Sequence, residues 1–90
     1  MTAAELPAWT DYIISLGPWT EYAKFMEDAA AALGGLRIMD LGDGRIALDD
    51  TAVEQLRRQP EDADGCIEDT GGELLMWIEG RSFPVSPAGD

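Results

Sequence analysis

Apolar and polar positions change their spacing several times along the chain, and each change predicts an element. Pro7 suits the first turn of a helix, and Tyr12, Ile13 and Leu16 follow it at helical spacing. This predicts a first helix from Pro7 to about Leu16, broken by Gly17-Pro18. A second helix is predicted from Pro18 or Trp19 to Leu33. Trp19, Tyr22, Met26, Ala29 or Ala30, and Leu33 form its apolar stripe, Glu21, Lys24, Glu27 and Asp28 lie opposite, and Gly34-Gly35 stops it.

Beyond residue 35 the pattern shortens. Leu36 to Leu41 and Arg45 to Asp49 predict two strands around Asp43-Gly44, a dipeptide favoured in two-residue hairpin loops. That loop would pair Leu41 with Ile46 and Met39 with Leu48, whereas a three-residue loop would set Asp40 opposite Ile46, so the shorter loop is expected. Thr51-Ala52-Val53-Glu54 has capping-box spacing and predicts a short helix carrying Val53 and Leu56 and ending before Pro60. Arg57 and Arg58 fall near its C-terminus, where cations favour the helix dipole.

Residues 59–65 read as an acidic loop. Cys66 to Asp69 and Glu73 to Glu79 then predict a second hairpin around Gly71-Gly72, pairing Ile67 with Met76 and Cys66 with Trp77. Leu74, Met76 and Ile78 point one way from the last strand and Leu75 and Trp77 the other, so this strand is expected to be central or covered on both faces. Pro84 and Pro87 suggest that the tail from Ser82 pairs only briefly. The expected fold is therefore α+β, with two N-terminal helices packed on a small antiparallel sheet built from two β-hairpins and a short helix between them. It forms one domain over residues 1–90, with 1–6 and 86–90 expected to be mobile.

Composition narrows the possible functions. Ninety residues suffice for one small domain that buries about 60–65% of its unfolded surface. The chain has no His, which removes the commonest general base and metal ligand at neutral pH, and its one Cys can form neither an intramolecular disulfide nor a thiolate zinc cluster. No cofactor is expected, and an enzyme is disfavoured. The N-terminus lacks a basic region followed by a long apolar core, and no uncharged apolar run, Leu74 to Ile78 included, approaches the roughly 20 residues of a membrane helix. Cytoplasmic residence is the default expectation.

Individual motifs favour structural explanations. Asp69-Thr70-Gly71 resembles the triplet of aspartic proteases, and Ile78-Glu79-Gly80-Arg81 resembles the later Gly-Arg segment of their dimeric retroviral type. Glu68, however, precedes the triplet where that family has an apolar strand, and only 19 residues follow it, so a hairpin turn is the simpler reading. Aligning Gly65 of Asp62-Ala63-Asp64-Gly65 with the glycine of an EF-hand loop puts Pro60 and Gly71 where acidic ligands are required, so a solvated turn is expected rather than a metal site. Cys66 lacks a neighbouring cation and reads as a buried structural thiol, and Lys24 as a surface pair member with Glu21, Glu27 or Asp28. Among the aromatics, one exposed anchor at an interface is a reasonable expectation, since Trp and Tyr dominate interface hot spots.

Charge is the main functional signal. Eighteen acidic against six basic residues give a formal net charge of −12, which disfavours direct contact with nucleic acid or an anionic membrane. The surplus is uneven: between Gln59 and Gly80 stand Glu61, Asp62, Asp64, Glu68, Asp69, Glu73 and Glu79 with no basic residue, and Asp40, Asp43, Asp49 and Asp50 form a second group. Duplex DNA carries one charge per about 1.7 Å, so twelve charges match roughly 20 Å of duplex. A domain of this length has an expected radius of gyration near 12 Å and a diameter of about 30 Å. One face could therefore imitate a phosphate track.

The chain is similar in size and charge to small acidic proteins of bacteriophages and mobile elements, including some anti-CRISPR proteins. Its Ala-, Gly- and Arg-rich usage with a single Lys fits such a source. The resemblance implies an inhibitor that docks on the basic nucleic-acid-binding surface of a host complex as a DNA-mimic-like decoy. The expected partner-binding residues are Glu61, Asp62, Asp64, Glu68, Asp69, Glu73, Asp49 and Asp50. The alternative is an acidic adaptor, immunity or antitoxin-type protein that covers another protein's surface without nucleic-acid mimicry.

Overall fold

A computed structural model describes residues 6–88. The elements run β1 (Tyr12–Ser15), α1 (Glu21–Ala32), β2 (Ile38–Asp40), β3 (Arg45–Leu48), α2 (Asp50–Arg57), β4 (Cys66–Asp69), β5 (Leu74–Ile78) and β6 (Arg81–Pro87). The fold is α+β, as expected. Its six strands form a single antiparallel sheet in the order β2-β3-β1-β6-β5-β4, and its two helices lie between strands in the chain. The radius of gyration is 12.0 Å, and the longest extent is 39 Å.

The first predicted helix is instead a strand. Pro7 opens a turn closed by the Thr10 N–H on the Pro7 carbonyl, and Tyr12 to Ser15 then pair with β3 and β6. The residues that suggested a helix also alternate: Tyr12 is half-buried, Ile14 and Leu16 are fully buried, and Ser15 is exposed. With Tyr and two β-branched Ile in four positions, the pleated conformation wins over a short, poorly nucleated helix.

The tail pairs more extensively than its prolines suggest. β6 is the longest strand and lies between β1 and β5 despite containing Pro84 and Pro87. Pairing with β1 runs only from Tyr12–Pro87 to Ile14–Val85, so Pro84 has its recorded partner, Leu75, on β5 alone. A residue without an N–H is tolerated where one ladder has already ended. Ser86 and Pro87 thus belong to the sheet, and residues 1–5 and 89–90 of the expected mobile ends lie outside the described residues.

The first hairpin adopts the register opposite to that expected, with Asp40 facing Ile46 and Ile38 facing Leu48. Both Gly42 and Gly44 take positive φ, and the Leu41 N–H bonds to the Arg45 carbonyl, which closes a three-residue loop of Gly42, Asp43 and Gly44. Asp40 occupies the end of β2, where its carboxylate stays in solvent and accepts the Gly42 N–H at 2.8 Å. The penalty expected for facing Asp40 toward the core therefore does not arise. The second hairpin has the predicted register, Cys66 with Trp77 and Ile67 with Met76.

Both helices cover one face of the sheet. Tyr22, Ala23, Met26 and Ala30 of α1 and Ala52, Val53 and Leu56 of α2 form one core with Ile14, Ile38, Ile46, Leu48, Ile67, Met76, Ile78, Phe83 and Val85. Leu33, predicted to extend the α1 stripe, is exposed beyond its end. The start of α2 is capped by Asp49, whose carboxylate accepts the Ala52 N–H, and not by the Thr51 of the predicted box. On the second face, Leu75 and Trp77 are half-buried and Met39 is 44% exposed, with no helix over them.

Candidate partner-binding surface

Because every pairing is antiparallel, the register sorts the carboxylates to the two ends of the sheet. One end holds the start of β1, the ends of β3, β4 and β6, and the start of β5. Asp49, Asp50, Asp69 and Glu73 lie there, joined by Asp11, which the sequence did not single out. Asp11 accepts the Asp50 N–H at 2.7 Å and lines a shallow groove with Tyr12, Asp50 and Pro87. Asp64 lies at the opposite end, on the loop that leads into β4. Glu68 projects from β4 onto the face without helices, so the eight predicted residues do not form a single patch.

The acidic loop is fixed by its neighbours. The Ala63 N–H bonds to the Pro60 carbonyl, the Gly65 N–H to the Trp77 carbonyl, and the Asp64 carboxylate accepts the Glu79 N–H at 2.9 Å. Gly65 faces α1 so closely that a Cβ there would stand 3.2 Å from Met26 Sδ and 3.8 Å from Phe25 Cε2. Phe25 is 39% exposed and is the exposed large aromatic among the described residues. Exposed Phe25 thus packs near Gly65, at the end of the loop that carries Glu61, Asp62 and Asp64. Its 100° offset from the end of the α1 stripe was the available sequence signal, but its proximity to the loop depends on the tertiary fold.

The sequence-predicted residues divide into two kinds. Asp49 caps α2, Asp64 ties the loop to the β5–β6 turn, and Asp69 accepts the Gly71 and Gly72 N–H groups. Those two amides, helped by Arg57, hold the Asp69 carboxyl below the usual Asp range. Glu68 accepts the Trp77 indole N–H at 3.0 Å across the diagonal of the open face. The Glu61, Asp62, Glu73 and Asp50 carboxylates make no hydrogen bond or ion pair among the described residues, and all four residues are exposed.

Opposite charges neutralise little of the surplus. Five of the six cations, Lys24, Arg45, Arg57, Arg58 and Arg81, already stand within 4.0 Å of a carboxylate. Arg45 forks onto Asp43 and lowers its carboxyl pKa, and Arg81 stacks 3.9 Å above the Trp19 ring. No charged residue is buried among the described residues, so the remaining acidic surplus faces solvent.

The candidate chemical groups take structural places. Cys66 is 4% exposed, and its thiol is held at 3.4 Å from the Glu61 carbonyl. Burial first, then Glu61 and Glu68, push its pKa above the usual thiol value. Asp69-Thr70-Gly71 forms a hairpin turn closed by the Thr70 N–H on the Glu73 carbonyl. No group of three metal-ligating side chains occurs among the described residues, and no helix there is long and apolar enough to cross a membrane. No known protein family, curated protein or solved structure matches the chain.

Proposed function

We propose that the protein is a small acidic inhibitor that docks on the basic nucleic-acid-binding surface of a host complex, with carboxylates standing where phosphates would lie. The observation that carries this reading is the placement of exposed Phe25 against the loop bearing Glu61, Asp62 and Asp64. Carboxylates alone would steer a basic partner into encounter, whereas an aromatic beside them supplies a dry contact that slows its departure. The loop's tight turns and its bond to Glu79 keep these groups in place before binding, which lowers the ordering cost of association. The size and charge that resemble phage and mobile-element inhibitors support the same reading.

The test is affinity capture from a lysate of the source cell, repeated at graded salt and with an excess of duplex DNA or RNA. Captured proteins should be nucleic-acid-binding, and either added salt or added polyanion should release them. Partners that stay bound while fully occupied by DNA or RNA would show that the carboxylates do not occupy the phosphate sites.

A further inference from the structure

The two edges of the sheet are finished differently. At the β2 edge, the Leu41 N–H to Arg45 carbonyl bond and the Asp49 N–H to Arg37 carbonyl bond set the parity, which turns the Ile38 and Asp40 amides outward. The outward Asp40 N–H is occupied by the Glu27 carboxylate of α1 at 2.8 Å. At the β4 edge, the Thr70 N–H to Glu73 carbonyl bond sets the parity of the second hairpin. Glu68 therefore bonds inward to β5, while the N–H and C=O of Ile67 and Asp69 point away from the sheet. Nothing among the described residues pairs with them. A groove of about 280 Å³ runs beside this edge, lined by Arg57, Gln59, Glu61, Ile67, Glu68 and Asp69.

We infer that the β4 edge accepts an extended segment of the partner as a seventh strand, one in which cationic and apolar residues alternate. The alternation follows from the two sides of the edge. On the open face, an added strand's side chains meet Glu68 and the neighbouring Glu61, which line a second hollow with Cys66 and Trp77 and have no cation beside them there. On the helix face they meet Ile67 and the guanidinium of Arg57, which is shared between Glu54 and Asp69 and repels a further cation. A cation therefore fits the first side and an aliphatic residue the second. The same charges disfavour a second copy of this chain, since pairing β4 with itself would bring like carboxylates together. This inference rests on the proposed docking to a basic partner and adds how the backbone is gripped.

The test uses the intact protein, isotope-labelled for amide NMR, and three synthetic seven-residue peptides. One alternates Lys and Val, the second is the same peptide N-methylated at the amides that would face β4, and the third replaces Lys by Glu. The first should shift the Ile67 and Asp69 amides and slow their hydrogen exchange. N-methylation should weaken binding at least about tenfold, and the Glu peptide should not bind. The Glu68→Lys variant should also lose affinity, with circular dichroism confirming an unchanged fold. Equal binding of the methylated peptide would overturn the added strand while leaving the basic-partner reading intact. Failure of every peptide to perturb β4 at millimolar concentration would also overturn it. Loss of polyanion competition in the capture experiment, with strand addition still observed, would instead remove the nucleic-acid-mimic reading alone.

Discussion

The Tyr22 hydroxyl donates a 2.8 Å hydrogen bond to the Glu79 carboxylate, joining the first turn of α1 to the β5–β6 turn across 57 positions of sequence. Glu79 is the one non-glycine residue among those described with positive φ, at 52°, and it precedes Gly80 in a two-residue loop. Such a conformation is held for a bulky residue only when its surroundings fix it. Tyr22 does so from a ring stacked on Trp19 and meeting Phe83 edge-on, and the Asp64 carboxylate holds the Glu79 amide.

Tyr22→Phe should therefore lower the urea midpoint of unfolding. Its pH dependence is specific: the bond to the Glu79 carboxylate, before burial and charge, raises the Tyr22 pKa above 10.0. A raised folded value means that the stabilisation is fully present below pH about 10 and is lost as pH rises through the folded value. Alkaline unfolding of the parent should show this loss and Tyr22→Phe should not, as measured by denaturation at stepped pH.

Gly44→Ala should destabilise the fold by more than about 1 kcal/mol. Gly44 has φ of +87°, and an added Cβ would stand 2.8 Å from the carbonyl oxygen of Gly17, a backbone atom fixed by the β1 end. Gly42→Ala shares the positive φ but meets open space, so it should cost less. Paired denaturant melts of the two variants separate the steric contribution from the conformational one.

The Asp69 carboxylate, bonded to the Gly71 and Gly72 amides, and the Asp43 carboxylate, bonded to Arg45, titrate below the usual 3.8. Their stabilisation is present above that value and is lost as pH falls through their depressed folded values. Asp69→Ala should weaken the protein at pH 7 and lie closer to the parent at pH 2. A difference between parent and variant that stays constant with pH would contradict this.

Cys66 should react with a thiol reagent at pH 8 far more slowly in the folded protein than in urea, because burial and the carboxylates of Glu61 and Glu68 disfavour its thiolate. Glu61→Gln with Glu68→Gln should accelerate the folded reaction without matching the unfolded rate. Stopped-flow absorbance with an aromatic disulfide measures both.

For partner binding, the variants with the clearest meaning are those at carboxylates that support no other part of the fold. Glu61→Lys with Asp62→Lys should slow association and flatten its salt dependence, while Phe25→Ala should raise the dissociation rate. Asp49→Ala should cost about 0.5–2 kcal/mol of stability through the lost cap. Surface plasmon resonance on a captured partner, after thermal melts of each variant, distinguishes the two kinds of carboxylate.

The elements read correctly from sequence were those with strong local determinants. The long stripe of α1 and the Gly71-Gly72 hairpin needed no distant partner to be legible. Tyr12 to Ser15 were not, because Tyr12 and Leu16, four positions apart, satisfy helical and pleated spacing alike over so short a run, and only β3 and β6 decide between them. Pro84 misled for a related reason: its acceptability depends on where the β1 ladder stops. The acidic surplus was countable from sequence, but its division between the two ends of the sheet follows from strand order. Which carboxylates are engaged by backbone amides likewise depended on turns and caps that composition does not specify.

The Glu27 carboxylate on the Asp40 amide also limits what can follow strand addition. With the Asp40 amide of β2 occupied by Glu27 and the Ile67 and Asp69 amides of β4 unoccupied, the two edges are unequal, and β4 is the one better disposed to receive a strand. A head-to-tail contact of β4 on the β2 of another copy would generate an open-ended fibre, and Glu27 obstructs its acceptor side. Capture of a partner at β4 therefore favours a bounded complex, and Glu27→Ala is the change that would expose this chain to polymerisation.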